Sequence, residues 1–479
     1  MMEILGVLGF PLLGGALLAV WGERRWAPEF NSAASFCTLI SAVSLAYRVL
    51  VSGPIVVLHE QFFVDSFNVF LVVLTAFVAF TTTMFSRPYM RNEQILSSLT
   101  NYQMRLYHSM YQIFCFTMLL ALTTNNLGIL WVAMEGATLA TVLLVSLYRT
   151  RESLEAAWKY FILCGVGIAQ ALFGTILLYF AAEKVLGPGG TALLWTHLNA
   201  AKGALEPTVL SIAFVFLLVG YGTKVGLVPL HSWLPDAHAE GPTPVSAVLS
   251  GLLLNVALYA VVRCKILVAG ALATRFADDL MVGFGLLSAL AAAFLLWKQK
   301  DIKRLFGYSS IEHMGLMTFA FGIGANFAGL LHMTVHSLTK SAIFFAVGHA
   351  AQHSGTKSMD EIRGLIKSPA VGWGLMLGGL AILGMPPFGV FTSEFLILTH
   401  AMQSNPWATP ILLVALGVAF AAIFGRVQAM VWGESNGAAL PHAPAFLPIL
   451  LHLGIVLLLG LYIPPHLARW YSEAARLIG

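Results

Sequence analysis

The chain has 479 residues, of which 58% are hydrophobic and only 10% charged, with a formal charge of +4. Its mean hydropathy is +0.82. So few charges cannot cover the surface of a soluble protein of this size, which excludes a soluble globular fold and points to a multi-pass integral membrane protein with no affinity for nucleic acid. At roughly 20 apolar residues per crossing, the chain divides into about fourteen windows with short connections. The expected fold is therefore an all-α integral membrane protein of about 14 transmembrane helices.

The first window follows Met1, Met2 and Glu3 with no basic residue ahead of it, so it reads as a retained span and not a cleaved signal. Spans one to three, near residues 2–21, 31–51 and 64–85, have no ionisable residue near the middle and read as scaffold. Spans four and five, near 105–125 and 127–148, meet at an Asn125-Asn126 turn, and span five carries Glu135 close to mid-bilayer. Glu155 and Lys159, one turn apart at the start of span six, read as a solvated ion pair.

Span seven enters near residue 208 and runs into KVGLVPLHSWLPDAHAEGPTPV, Lys224 to Val245, which is too polar and too rich in proline for an ordinary membrane helix. Pro229, Pro235, Pro242 and Pro244 remove backbone donors, and the carbonyls they free must face water or protein. A hydrated break beside Lys224 is expected. Span eight carries Asn255 as its one strongly polar interior residue, and the basic run Lys298 to Arg304 after span nine reads as an anchor at the membrane surface.

Span ten contains Glu312 and His313. Span eleven carries His332, His336 and Lys340 at four-residue spacing, which aligns them on one helical face over roughly 12 Å. Span twelve is interrupted at GMPPFG and continues through Glu394; spans thirteen and fourteen complete the chain. Broken seventh and twelfth spans lie five spans apart, the signature of two inverted repeats. No strand periodicity is visible.

Odd-numbered loops hold sixteen Lys and Arg against six in the even-numbered loops, which by the positive-inside rule puts both termini outside. Cys37, Cys115, Cys164 and Cys264 lie singly in different apolar runs and read as packing residues. Zinc-protease, phosphate-loop and iron–sulfur patterns are absent, so no cofactor or metal is assigned to the chain itself.

The ionisable residues inside spans point to proton transfer. Burial disfavours the charged form of a lysine or a glutamate, and an opposite charge restores it. A glutamate beside a lysine is then a switch, and histidines with trapped water are the relay. The candidate proton-transfer residues are Glu135, Lys224, His231, His313, His332, His336, Lys340 and Glu394.

The segments KVGLVPLHSWLPDAHAEGPTPVSAVLSG, YSSIEHMG, HSLTKSAIFFAVGH and GMPPFGVFTSEFLIL resemble the antiporter-like subunits of respiratory complex I, membrane-bound hydrogenases and multisubunit cation/proton antiporters (Mrp type). The resemblance implies a fourteen-span core with discontinuous seventh and twelfth helices and a proton path along a polar mid-membrane axis. Carried over by position, Glu135 is the fifth-span glutamate, Lys224 the seventh-span lysine, Lys340 with His332 and His336 the row leading to span twelve, and Glu394 the terminal carboxylate. Asn255 departs from the pattern, since many members have lysine there, so water or histidines would have to bridge Lys224 to Lys340. Asn255, SSIEHMG and FTSEFLIL together are most similar to component F of hydrogenase-4 and formate-hydrogenlyase complexes.

The expected organisation is N-terminal scaffold helices over 1–104, a first inverted repeat of five helices over 105–265, a second over 266–432, and a last span with a short tail over 433–479. The implied function is proton translocation within a multisubunit oxidoreductase of the group 4 NiFe-hydrogenase type, in a bacterial or archaeal cytoplasmic membrane. Its implied partners are other antiporter-like and complex I-type anchor subunits and a soluble hydrogenase-type arm that carries the NiFe centre and iron–sulfur clusters. A subunit of a sodium/proton antiporter or of complex I, and a purely structural anchor, are the alternatives.

Overall fold

Helices α1 (Met2–Trp21) and α2 (Ala27–Ser52) open the chain and expose Leu13, Val20, Ile40 and Tyr47, as lipid-facing helices do. The architecture is that of a computed structural model, which describes residues 1–272, 274–435, 437 and 440–479. A two-stranded antiparallel hairpin follows, β1 (Ile55–Val57) pairing with β2 (Phe62–Val64) in the register Ile55 to Val64. Its three-residue strands are too short for a period of two to be visible, which is why no strand is expected from the sequence. Asp65 then caps α3 (Ser66–Leu96), accepting from the backbone of Phe67 and Asn68, while Asn68 returns a bond to the Asp65 backbone.

Helices α4 (Asn101–Thr123) and α5 (Leu127–Val145) form the expected tight pair. Asn126 caps α5 through Gly128 and Ile129, and Asn125 donates to the Glu60 carbonyl at the hairpin tip. Next come α6 (Arg151–Leu186), a short helix α7 (Trp195–Ala201), and α8 (Pro207–Val225). The expected break is real and has two steps: residues 226–232 separate α8 from α9 (Trp233–Glu240), and Gly241 with Pro242 separate α9 from α10 (Thr243–Val248). A π-helical turn, Leu249–Leu253, joins α10 to α11 (Leu254–Ala271). Pro235 and Pro244 are absorbed into the first turns of α9 and α10, where their missing N–H groups cost nothing.

The second half contains α12 (Phe276–Leu296), α13 (Ile302–Gly322), α14 (Asn326–Ser354), α15 (Pro369–Ile382), α16 (Gly389–Ser404), α17 (Ala408–Val431), α18 (Leu447–Leu461) and α19 (Pro465–Ile478). Residues 383–388 separate α15 from α16, the second expected break. Among the described residues, eleven helices are long and apolar enough to cross a membrane, and twelve if α18 and α19, bent by 82°, count together. Fourteen sequence windows exceed that number because α13 and the broken α15–α16 pair do not qualify on length and composition.

The core lies around α14 and the α10–α11 unit, whose apolar windows are wholly buried. Helices in lipid approach closely only where side chains are small. A Cβ on Gly220 of α8 would lie 2.5 Å from the Ala171 nitrogen of α6, and one on Gly315 of α13 would lie 2.6 Å from the Ala289 nitrogen of α12. Glycine is therefore what lets both pairs close.

Three readings of polar residues change. Lys159 pairs with Asp236 of α9 at 2.6 Å, not with Glu155, and Arg304 holds the other Asp236 oxygen at 2.7 Å. Lys303 is not a solvated anchor, because it is buried and donates to the Gly241 carbonyl at 2.5 Å. Asn255 is not the only polar group inside α11: Arg263 is buried against Asp65 at 2.7 Å, and Lys265 reaches Asp278 at 3.0 Å.

Candidate functional site

Lys224 occupies the last turn of α8, where the unpaired carbonyls of a helix end favour a cation. Gly226, left-handed at φ 84°, closes the helix, and Trp233 of α9 donates to the Thr223 carbonyl at 2.8 Å, so the broken backbone stays partnered. The fully buried Lys224 ammonium donates to the Thr138 hydroxyl and sits 5.3 Å from the centre of the Tyr160 ring. Thr138 also lies 3.3 Å from a Glu135 carboxylate oxygen. Glu135 and Lys224 are therefore brought together through a hydroxyl and not by direct contact.

Glu135 is half-buried. It shares its side of α5 with the exposed Val132 and Leu139. His231 sits in the first break, half-buried, edge-on to Tyr308 at 6.3 Å and with Nδ1 unpartnered. No hydrogen bond joins it to the other candidates.

The remaining candidates form a second cluster. His313 Nδ1 lies 3.0 Å from His332 Nε2, and His332 Nδ1 lies 2.9 Å from the Ser393 hydroxyl. The His336 ring is 5.5 Å from that of His313 and 6.2 Å from that of His332, with both nitrogens unpartnered. A Glu394 oxygen stands 3.9 Å from His313 Nδ1 and has no hydrogen bond. Lys340, fully buried, donates to the Phe306 carbonyl at 3.2 Å. Among the described residues, no group of three His, Cys, Asp or Glu is arranged to hold a metal ion.

The sequence reading missed the Ser250 and Ser310 hydroxyls and the His238 ring beside this row, and named Asn255 without its partners. Ser310 donates to the same Phe306 carbonyl at 2.9 Å and lies 2.6 Å from Ser250 in the π-helical turn, which links the Lys340 cluster toward α11. Asn255 donates to Ser337 at 2.7 Å and to the Met333 carbonyl at 3.2 Å, tying α11 to α14. His238 of α9 is fully buried and stacked on Phe344 at 4.8 Å, and neither ring nitrogen has a partner. Its place in WLPDAHAEG was visible in the sequence, but nothing there distinguished it from a packing residue. Thr138 and Ser310 carry no signal until α8 and α10–α11 are folded against them.

A helical membrane bundle with two interrupted spans and a buried row of lysine, histidine and glutamate is the class of ion-translocating membrane subunits. The chain belongs to the NADH:quinone oxidoreductase/Mrp antiporter transmembrane family, whose profile matches residues 124–421. It is 48% identical, over the whole of both chains, to a hydrogenase-4 component F homologue of Methylacidiphilum infernorum. Its fold matches a chain of an archaeal membrane-bound sulfane sulfur reductase with a TM-score of 0.88 at 24% identity, covering 100% of this chain and 97% of that one. It also matches a chain of the Mrp complex of a Dietzia species with a TM-score of 0.85 at 19% identity, covering 100% and 98%. The chain is thus a homologue of hydrogenase-4 component F and of the antiporter-like subunits, consistent with a proton-translocating membrane subunit.

Proposed function

We propose that this chain is the proton-translocating membrane subunit of a group 4 NiFe-hydrogenase-type complex, with the redox centres held by its partners. The observation that carries this reading is the row itself: Glu135, Thr138 and Lys224 on one side, and Lys340, His336, His313, His332 and Glu394 on the other. Buried ionisable groups are costly in a membrane and are retained where they conduct. Glu135 and Lys224 both approach the Thr138 hydroxyl, and His313, His332 and Ser393 form a chain that Glu394 approaches at 3.9 Å; a proton passes between such atoms with small rearrangements.

Protons enter from the cytoplasm near Lys224 and Glu135, cross by way of Ser250, Ser310 and water to Lys340 and His336, and leave outward past Glu394. His231 serves the hydrated break through which Lys224 is reached. Asn255 holds α11 and α14 in register and conducts only through water. Residues 105–265 and 266–432 act as two inverted half-channels, with 1–104 as scaffold and both termini outside. Partners are further antiporter-like and anchor subunits, together with a soluble hydrogenase-type arm that carries the NiFe centre and iron–sulfur clusters. The likeness to a hydrogenase-4 component F homologue supports that choice of parent complex.

The test is Lys224→Ala in the intact complex reconstituted into vesicles. Electron transfer and subunit composition are retained while redox-driven proton uptake is abolished. Proton uptake at the wild-type rate would overturn the path.

A further inference from the structure

Several basic side chains at the helix ends of this molecule have carboxylate partners. Lys159 and Arg304 share Asp236, Lys357 holds Glu240, and Arg87 and Arg91 share Glu29. One cleft is different. Where the C-terminal end of α12 meets α17 and the segment before α15, a cavity of about 450 Å³ is lined by Lys298, Lys300, Arg363 and Arg426. None of these four cations has an ion-pair partner within 4.0 Å among the described residues. The single lining carboxylate, Asp360, is likewise unpaired, so the cleft keeps an excess of positive charge.

Two of the cations are held in place. Arg426 donates to the Ala422 carbonyl at 2.8 Å and to the Trp297 carbonyl at 2.5 Å, bridging α17 to the end of α12. Arg363 donates to the Met359 and Ile362 carbonyls, both at 2.7 Å. Neutral carbonyls orient these guanidinium groups without neutralising them, which leaves their charge for a ligand.

The depth of the cleft identifies that ligand. Trp297 lines it at 52% exposure, and Trp432, just past the end of α17, is 50% exposed, as tryptophans at a membrane–water interface are. Phe294, one turn back along α12 from Trp297, is also exposed and continues the apolar surface toward the hydrocarbon. A basic cavity between helices at this level, with apolar surface beneath it, matches a phosphate group whose acyl chains lie along the helices.

We infer that the cleft formed by Lys298, Lys300, Arg363 and Arg426 binds a phosphate-bearing anion, supplied by the headgroup of an anionic phospholipid. The site lies outside the buried titratable row and needs none of its residues. Lys298 and Lys300 supply attraction, the two arginines supply hydrogen-bond geometry, and Trp297 with Phe294 seats the glycerol backbone and the first acyl carbons.

The test is binding to the full-length chain in detergent by native mass spectrometry, with three probes: phosphatidylglycerol, phosphatidylcholine and inorganic phosphate. Phosphatidylglycerol is expected to bind in preference to phosphatidylcholine. The double variant Lys298→Gln/Lys300→Gln removes two cations that cap nothing, so the fold is undisturbed. It should weaken phosphatidylglycerol about 30-fold, at roughly one order of ten per 1.4 kcal/mol and about 1 kcal/mol per charge. Arg24→Gln/Arg25→Gln, an exposed basic pair on another loop, should leave binding unchanged. Arg363→Gln provides a second, independent loss. Binding of inorganic phosphate with the same sensitivity to the variants, without preference for phosphatidylglycerol, supports the anion site and assigns it to a soluble ligand. Equal binding of phosphatidylglycerol by the wild type and the double variant, or equal binding of the two lipids with no phosphate bound, overturns the inference.

Discussion

At the scale of single residues, the central fact is that a hydroxyl stands between the two charges of the first cluster. Thr138 takes a hydrogen bond from Lys224 and approaches Glu135 at 3.3 Å, so it sets both the spacing of the pair and the route between them. Thr138→Val keeps the shape and removes the hydroxyl. A hydrogen bond to a charged group contributes about 1.5–3 kcal/mol, so the rate of proton uptake should fall roughly 10- to 100-fold. Thr138→Ser should retain most of the rate, and the comparison in reconstituted vesicles separates loss of the hydroxyl from loss of packing.

A different residue-scale cost sits at Asp65, which caps α3 and neutralises Arg263 inside a cage of Phe63, Phe67, Trp195 and Tyr259. Asp65→Ala strands a buried guanidinium, at a cost of about 3–5 kcal/mol. It also removes a helix cap, at about 1 kcal/mol. Denaturant unfolding of the purified chain should show a large loss of stability, whereas Glu60→Ala in the β1–β2 turn, paired only at the surface with His197, should show almost none.

At the scale of elements, the two breaks are what the sequence displayed most openly and what it explained least. Four prolines between Pro229 and Pro244 announce an interruption, but their pattern does not say that the chain re-forms a separate helix, α9, between two breaks. That helix is short, and eight residues have little stability of their own. Its position depends on cations from three other elements: Lys159 and Arg304 on Asp236, Lys357 on Glu240, and Lys303 on the Gly241 carbonyl. The partners are 77, 68, 117 and 62 residues away, so short-range sequence reasoning paired Lys159 with its neighbour Glu155 instead. Asp236→Asn should release two of the four clamps and speed amide hydrogen exchange across residues 233–240, while α8 and α13 keep their protection.

In the second break one glycine sits against a candidate carboxylate. Gly384 is left-handed at φ 62°, and a Cβ there would collide with the Glu394 carboxylate. Gly384→Ala should therefore cost more than about 1 kcal/mol in stability and displace the carboxylate from His313. Proton uptake should fall about tenfold or more, the equivalent of roughly 1.4 kcal/mol at the transfer step. A variant that unfolds like the wild type and transports at the wild-type rate would show that Glu394 does not depend on this contact.

At the scale of the whole molecule, the composition and the interrupted spans were enough to read a helical ion-translocating bundle. The histidine and lysine spacing on α14 also read directly, because a single helix carries all three groups. What could not be read was where one helix meets another. The Ser250–Ser310 link, the Asn255–Ser337 bond and the orphaned ring of His238 depend on how α9, the π-helical turn and α14 pack, and no local pattern encodes that.

The same limit applies to the outside of the bundle. Glu135 is half-buried on the side of α5 that exposes Val132 and Leu139, and α6 exposes Trp158, Ile162 and Val166 nearby in sequence register. An ionisable group within a membrane span is costly against lipid but not against protein or water, so a neighbouring membrane subunit on this face is the expected outcome. Leu139→Cys places a reactive thiol one turn from Glu135 without touching the Thr138 bridge. In the native complex a benzophenone-maleimide attached to that thiol should photo-cross-link to a second membrane subunit in high yield, whereas the same label on Val20→Cys of exposed α1 should not. If Leu139→Cys reacts only with a lipid-soluble thiol reagent and never with protein, Glu135 faces lipid, and the row of charges ends within this chain instead of continuing into its neighbour.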